Sequence, residues 1–257
     1  IWRLSEGVWI LVIMSLSFPV YIVYSVILKK KDIKELLKPY FTPGLLIFLL
    51  IYSYVFIINI NRTLNSWDEF SFWGVKLKEM LRLNTYYSST MAAPHSHKDY
   101  PPAIQLVEYL WTKLTWGGYR ENTIYRAQQT FLLSLYMPAF SRLRFANRKS
   151  NAVFTVFLST LLVAITPFVI NIDLSFYNLI CCDYSLAMIT AFAVFLIIGE
   201  NDYSRFFYVT LALVLSFVLL TKQMGIAFYA LSLGILIFLL ILRFVDSIKR
   251  EEKGYHI

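Results

Sequence analysis

The sequence predicts an all-α fold: a polytopic membrane helix bundle of about seven spans, with one long extracytoplasmic loop carrying two interfacial helices. Three observations predict it. Of 257 residues, 58% are hydrophobic and 16% charged, whereas soluble domains run nearer half and a quarter. Several uninterrupted apolar runs reach the ~20 residues that cross a bilayer. One stretch, 61–122, breaks the pattern with adjacent carboxylates, histidines and lysines. The formal net charge of +8 is not a nucleic-acid footprint, because the lysines and arginines cluster beside the spans, where cytoplasmic anchoring explains them. Cys181 and Cys182, the only cysteines, are adjacent, which argues against a disulfide framework.

Taken in order, the apolar runs place spans at 8–28, 43–60, 123–141, 152–170, 183–199, 206–221 and 224–243. The third is interrupted by Arg126, Gln128 and Gln129, which are tolerated at that depth when packed inside protein or lining a wet cavity. Basic residues set the orientation. Lys29, Lys30, Lys31, Lys34 and Lys38 follow the first span; Arg142, Arg144, Arg148 and Lys149 follow the third; Arg243, Lys249, Arg250 and Lys253 follow the last. With seven spans these loops share one side, which the positive-inside rule makes cytoplasmic. The expectation is a multi-pass plasma-membrane protein with the 61–122 loop outside. Residues 1–257 form one transmembrane domain around that loop. Ile1 falls outside, no cleavable signal peptide is visible and the chain stops soon after a span, so a longer protein with an earlier span is expected.

Within the loop, Phe72, Val75, Leu77, Met80 and Leu81 recur near helical spacing with Lys76, Lys78, Glu79 and Arg82 between them. This predicts a helix from Asp68 to Leu83 on the membrane surface or against the bundle. Pro101 and Pro102 open a second helix to about Thr115, ended by Gly117 and Gly118. Between the two lies an irregular segment, 84–100.

Asp68 and Glu69 are adjacent carboxylates at a helix start, where the dipole favours them. They fit either an N-terminal cap or a general base that takes a proton from an attacking hydroxyl. His95, His97 and Asp99 offer imidazole and carboxylate, so a divalent cation is possible. No cysteine or further histidine completes a tetrahedral set, and contacts to sugar hydroxyls or phosphate are preferred; no metal ligand is assigned. Lys222 is either a lysine snorkelling at a helix end or a point charge for a phosphate. Arg126 inside a span needs an anionic partner. Asp183 opens the fifth span as a cap or as a second acidic residue of a site.

The ordered set resembles a known family. Asp68-Glu69, a helix ending in Lys78-Glu79-Met80-Leu81, then Asp99-Tyr100-Pro101-Pro102, Tyr109-Leu110-Trp111, Gly118 and Arg126 is similar to the first extracytoplasmic loop of GT-C fold membrane glycosyltransferases. The nearest pattern is that of the protein O-mannosyltransferase and lipid A aminoarabinose transferase group. Leu220-Thr221-Lys222 with Gly225 looks like the Thr-Lys-Gly turn of the same group. The resemblance covers roughly residues 45–245. It implies an inverting, polyprenyl-phosphate-sugar-dependent transferase acting outside the cytoplasm on a glycan, lipid or protein acceptor of the cell envelope. The base role carries onto Asp68, with Glu69 orienting it, and the second acidic role onto Asp183. Lys222 and Arg126 would hold the donor phosphate, with Asp99, Tyr100, His95 and His97 as further substrate contacts. The chain departs from the family at Tyr100, where lysine is frequent, and at Gln223-Met224, which separate Lys222 from its glycine; it is also shorter. The expectation is that Asp68 and Asp183 meet a cationic pocket at the outer rim of the bundle.

Two other classes fit the membrane setting. A lipid-linked oligosaccharide polymerase or ligase would place its key arginines and histidine in a later outer loop, and no long one exists. A secondary transporter tends to show two hydropathy-similar halves, which the single long polar loop breaks.

Overall fold

The computed structural model describes residues 3–86, 100–115, 118–137, 180–199 and 203–252. Among the described residues every regular element is a helix. The chain divides into two compact units, Ile1–Asp99 with Ile104–Cys181, and Tyr100–Ala103 with Cys182–Ile257.

The first unit opens with α1 (Leu4–Ser15) and α2 (Ser17–Ile27), which meet at Leu16 and together make one apolar stretch of 24 residues. Trp9, Ile13, Met14, Val20 and Ile27 stand exposed along it. A run of large apolar side chains that the protein does not cover is compatible with a lipid environment. A basic turn leads to the short α3 (Ile33–Leu37), whose cap Asp32 accepts from the Lys34 N–H at 2.9 Å. Thr42 then caps α4 (Pro43–Ile58), accepting from the Leu45 N–H at 3.1 Å with proline in the first turn. A π-helical turn, Glu69–Trp73, runs into α5 (Gly74–Leu83), followed by α6 (Ala103–Leu114) and α7 (Glu121–Ser134).

The second unit is three helices that pack on one another: α8 (Cys182–Gly199), α9 (Arg205–Leu219) and α10 (Gly225–Glu252). Ala193, Ile197, Phe207, Leu211, Leu215 and Leu236 form its core. Ser204 caps α9 through the Phe207 N–H, and the Tyr203 and Phe207 rings stack at 4.6 Å. Gly225 lets α10 start against the end of α9, because a Cβ there would strike the Val218 carbonyl.

Among the described residues three helices are long and apolar enough to cross a membrane: Leu4–Ile27, Cys182–Gly199 and Gly225–Lys249. Gly44–Ile57 and Arg205–Leu219, at the expected second and sixth spans, are shorter apolar helices. The expected third span differs more. Its helix α7 runs 14 residues and buries Thr123, Gln128 and Gln129 beside Ile124, Leu132 and Leu133, so its inner face is mixed rather than apolar. The expected fourth span, 152–170, lies outside the described residues, as do the basic loop 142–149 and Lys253.

Candidate functional site

The adjacent carboxylates at the start of the loop have opposite surroundings. Glu69 is fully buried. Its Oε2 accepts from the Asn65 N–H at 3.2 Å, the Ser66 N–H at 3.1 Å and the Tyr125 hydroxyl at 2.7 Å. Its Oε1 accepts from the Ile180 N–H at 2.8 Å. One side chain thereby ties the entry to the π turn, helix α7 and the segment before α8. Reaching back to N–H groups three and four residues earlier resembles the acidic half of a capping box. Neighbouring bonds repeat the stitch: Glu121 accepts from the Leu64 N–H at 2.9 Å, and the Asn122 amide donates to the Ile60 carbonyl.

Asp68 is exposed, and among the described residues its carboxylate neither caps the turn nor takes part in a hydrogen bond. It lies between Trp67 and Phe70, whose exposed rings meet edge to face at 5.4 Å. The π turn that follows adds one residue to a helical repeat, a feature frequent at functional sites. It sends Glu69, Phe72 and Trp73 inward while Asp68 and Phe70 stay outside. Gly74 closes this corner, because any Cβ there would meet the Leu64 side chain and the Tyr119 hydroxyl.

The interior beside the turn is unusually polar. The Lys76 ammonium, almost wholly buried, lies 4.3 Å from the Phe72 ring centroid and 6.0 Å from that of Trp73. Glu108 on α6 is sealed and neither carboxyl oxygen finds a hydrogen-bond partner, nor do Gln105 Nε2 and Thr112 Oγ1 on the same helix. Burial alone pushes the Glu108 carboxyl well above the usual range. The Tyr119 phenol is pushed up to about 12, first by burial and then by the negative charges of Glu121 and Glu108. Asn84, in the left-handed conformation at the end of α5, accepts from the Ser5 N–H at 2.9 Å and the Tyr109 hydroxyl at 2.7 Å, and donates to the Ser5 hydroxyl at 2.8 Å.

Arg126 also belongs to the first unit. Its guanidinium carbon lies 4.1 Å from the Phe56 ring centroid on α4, its Nε is sealed without an acceptor, and no carboxylate pairs with it among the described residues.

The second unit brings Tyr100, Asp183 and Lys222 together. Ala103 donates its N–H to the Leu220 carbonyl at 2.8 Å, which attaches the Tyr100–Ala103 segment to the end of α9 and satisfies one orphan carbonyl there. The Lys222 ammonium donates to Asp183 at 2.5 Å and sits 5.9 Å from the Tyr100 ring centroid. Burial alone would lower the pKa of Lys222. The hydrogen bond to Asp183, with the negative charges around it, more than offsets this and raises the value. Asp183, in the first turn of α8, is thus the partner of Lys222.

Of the residues singled out in the sequence, Asp68, Glu69 and Arg126 are placed in the first unit and Tyr100, Asp183 and Lys222 in the second. His95, His97 and Asp99 lie outside the described residues. Among the described residues no group of three His, Cys, Asp or Glu side chains could hold a metal ion. Cys181 and Cys182 form no disulfide with each other.

Sequence reasoning missed Tyr125, Asn84 and Glu108. Glu108 left a signal, since it falls four residues after Ile104 on the face that α6 buries. Tyr125 and Asn84 left none, as their partners lie far away in the chain. Comparison with family models, curated proteins and solved structures returned no match.

Proposed function

We propose that this chain is an integral membrane glycosyltransferase that moves a sugar from a polyprenyl-phosphate donor to an acceptor hydroxyl on the extracytoplasmic side. The observation that carries the reading is the division of labour between adjacent carboxylates. Glu69 spends its oxygens on four donors and holds the turn rigid. Asp68 is left exposed on that base, unbonded among the described residues. A carboxylate held ready but uncommitted is what a general base requires. The long apolar helices support a membrane setting, in which a lipid-linked donor reaches the protein from the bilayer.

In the proposed reaction the acceptor O–H gives its proton to the Asp68 carboxylate. The acceptor oxygen attacks the anomeric carbon opposite the phosphate, and the bond from that carbon to the phosphate oxygen breaks, its electron pair leaving with the polyprenyl phosphate. Charge grows on that oxygen, where a fixed cation lowers the barrier. Arg126, half-buried and without an acidic partner among the described residues, is one candidate for that role; Lys222 is another, with Asp183 setting its position. The multi-pass arrangement of about seven spans and the outward-facing loop belong to this proposal.

The test is transfer itself. Protein in nanodiscs is given radiolabelled polyprenyl-phosphate sugars with envelope glycan, lipid and peptide acceptors. The reading expects label to move to one acceptor class and the Asp68→Asn variant to lose at least a hundredfold in rate, the low end of what a positioned base contributes. Label that moves equally well in that variant removes Asp68 from the role, since an amide cannot take the proton.

A further inference from the structure

We propose that Trp67, Asp68 and Phe70 form a pyranose-binding platform, so that the acceptor is a carbohydrate; this rests on the transferase reading and names its substrate class. Trp67 is 74% exposed and Phe70 46%, and their rings meet edge to face at 5.4 Å with the free Asp68 carboxylate between them in sequence. The axial C–H face of a pyranose is apolar and its rim is hydroxyls. Flat rings beside a carboxylate answer both, the rings by contact and the carboxylate by accepting hydroxyl hydrogens.

Two features separate this patch from an interfacial belt, the other place where exposed Trp and Phe belong. The first is charge. Anchors on anionic lipid are rich in lysine and arginine. From Asn65 to Val75 there is no base and there are two acids; of the flanking cations, Arg62 is half-buried over the Tyr125 ring and Lys76 is buried. The second is rigidity. The Ser71 hydroxyl donates to the Trp67 carbonyl, and the Asn65 and Ser66 N–H groups are fixed on Glu69. A belt residue gains nothing from a fixed backbone, whereas a sugar subsite gains affinity by not having to order its own groups on binding.

The experiment uses the full chain in nanodiscs, labelled with 5-fluorotryptophan, the Trp67 fluorine resonance being assigned by its loss in Trp67→Phe. The probes are methyl glycosides of glucose, galactose, mannose and rhamnose, a water-soluble gadolinium chelate, and a phospholipid carrying a nitroxide on its acyl chain. The Trp67 resonance is expected to shift saturably with at least one glycoside, to broaden with the chelate and to stay sharp with the nitroxide lipid. Phe70→Ala should weaken the apparent affinity roughly two- to tenfold, the range of one aromatic contact. Broadening by the nitroxide lipid, no shift with any glycoside, or an unchanged affinity in Phe70→Ala would each overturn the platform. Failure here is separable from failure of the transferase reading. Transfer lost in Asp68→Asn with no Trp67 shift discards the platform alone, and a Trp67 shift with full transfer in Asp68→Asn discards the base.

Discussion

In the second unit, the buried hydroxyls of Thr190, Thr221 and Ser232 each donate to the carbonyl four residues earlier in the chain, at 2.7, 2.7 and 2.9 Å. Its core is aliphatic and aromatic. Its long-range polar bonds, Lys222 to Asp183 and the Ala103 N–H to the Leu220 carbonyl, lie at helix ends, whereas those of the first unit run through its buried interior. Tyr109 reaches Asn84 across 25 positions, Tyr125 reaches Glu69 across 56, and the Ile180 N–H reaches Glu69 across 111. It also buries Glu69, Lys76 and Glu108, all three charged residue types in water. Polar groups bonded within their own helix suit a bundle whose outside is hydrocarbon, because no water is there to satisfy them. Long-range polar bonds cost ordering entropy and desolvation, and such networks persist where they specify one arrangement of the chain. The contrast teaches that the first unit joins distant parts of its chain through buried polar side chains, while the core of the helical trio is held by apolar packing.

The largest expected effect breaks the network at its centre. Glu69→Ala leaves three backbone N–H groups and the Tyr125 hydroxyl without their acceptor, and at about 1–3 kcal/mol for each unsatisfied group the first unit should lose at least about 4 kcal/mol. Thermal unfolding in detergent, followed by fluorescence size exclusion, reads this directly. Tyr125→Phe should cost only about 1 kcal/mol, and the double variant less than the sum, because both act on one bond.

A second effect depends on pH. The unfolded chain releases the Glu108 proton near 4.5, while the folded chain, whose value is raised by burial, keeps it to a higher pH. The folded state therefore holds more protons through that window, and its stability falls as pH climbs from the ordinary glutamate value toward the raised one. Glu108→Leu should flatten that slope and stabilise the protein near neutrality by roughly 1–3 kcal/mol, the cost of a buried group without a partner. A melting temperature in Glu108→Leu that is lower than wild type at every pH would show instead that the carboxyl is bonded in solution.

Smaller changes sharpen the comparison. Asn84→Gly keeps the left-handed backbone and removes the three side-chain bonds, whereas Asn84→Ala also strains the backbone. Alanine should therefore cost more than glycine, with both in the range of about 1–3 kcal/mol. In the second unit, Asp183→Asn should shift stability by no more than about 1 kcal/mol, because the Asp183 side chain is 58% exposed and solvent screens the pair.

Much of this architecture is legible in the sequence. Apolar runs mark α1, α2, α4, α8, α9 and α10, because a helix in lipid needs little besides length and hydropathy. Pro101 and Pro102 mark the start of α6, and Gly118, at φ +69°, follows its end as a residue free to adopt that conformation. The candidate site is less legible. Asp68 and Glu69 are equivalent on paper, and what separates them is the extra residue of a π turn together with donors 56 and 111 positions away. The amphipathic pattern after Asp68 foretells a helix without showing that its first turn is widened. The polar residues of α7 tell of burial, and Gln128 is indeed buried, donating to the Cys181 carbonyl at 3.0 Å. That Tyr125 would be the one to reach Glu69 depends on how α7 is turned about its axis, which no local pattern records.

The most direct test sets the two carboxylates against each other in one experiment, measuring sugar transfer and melting temperature for Asp68→Asn and Glu69→Gln beside wild type. The account predicts that Asp68→Asn melts like wild type and transfers almost nothing, while Glu69→Gln melts several degrees lower and keeps transfer in the fraction that remains folded. An Asp68→Asn protein that transfers at the wild-type rate, or a Glu69→Gln protein that melts normally yet is inactive, would contradict it.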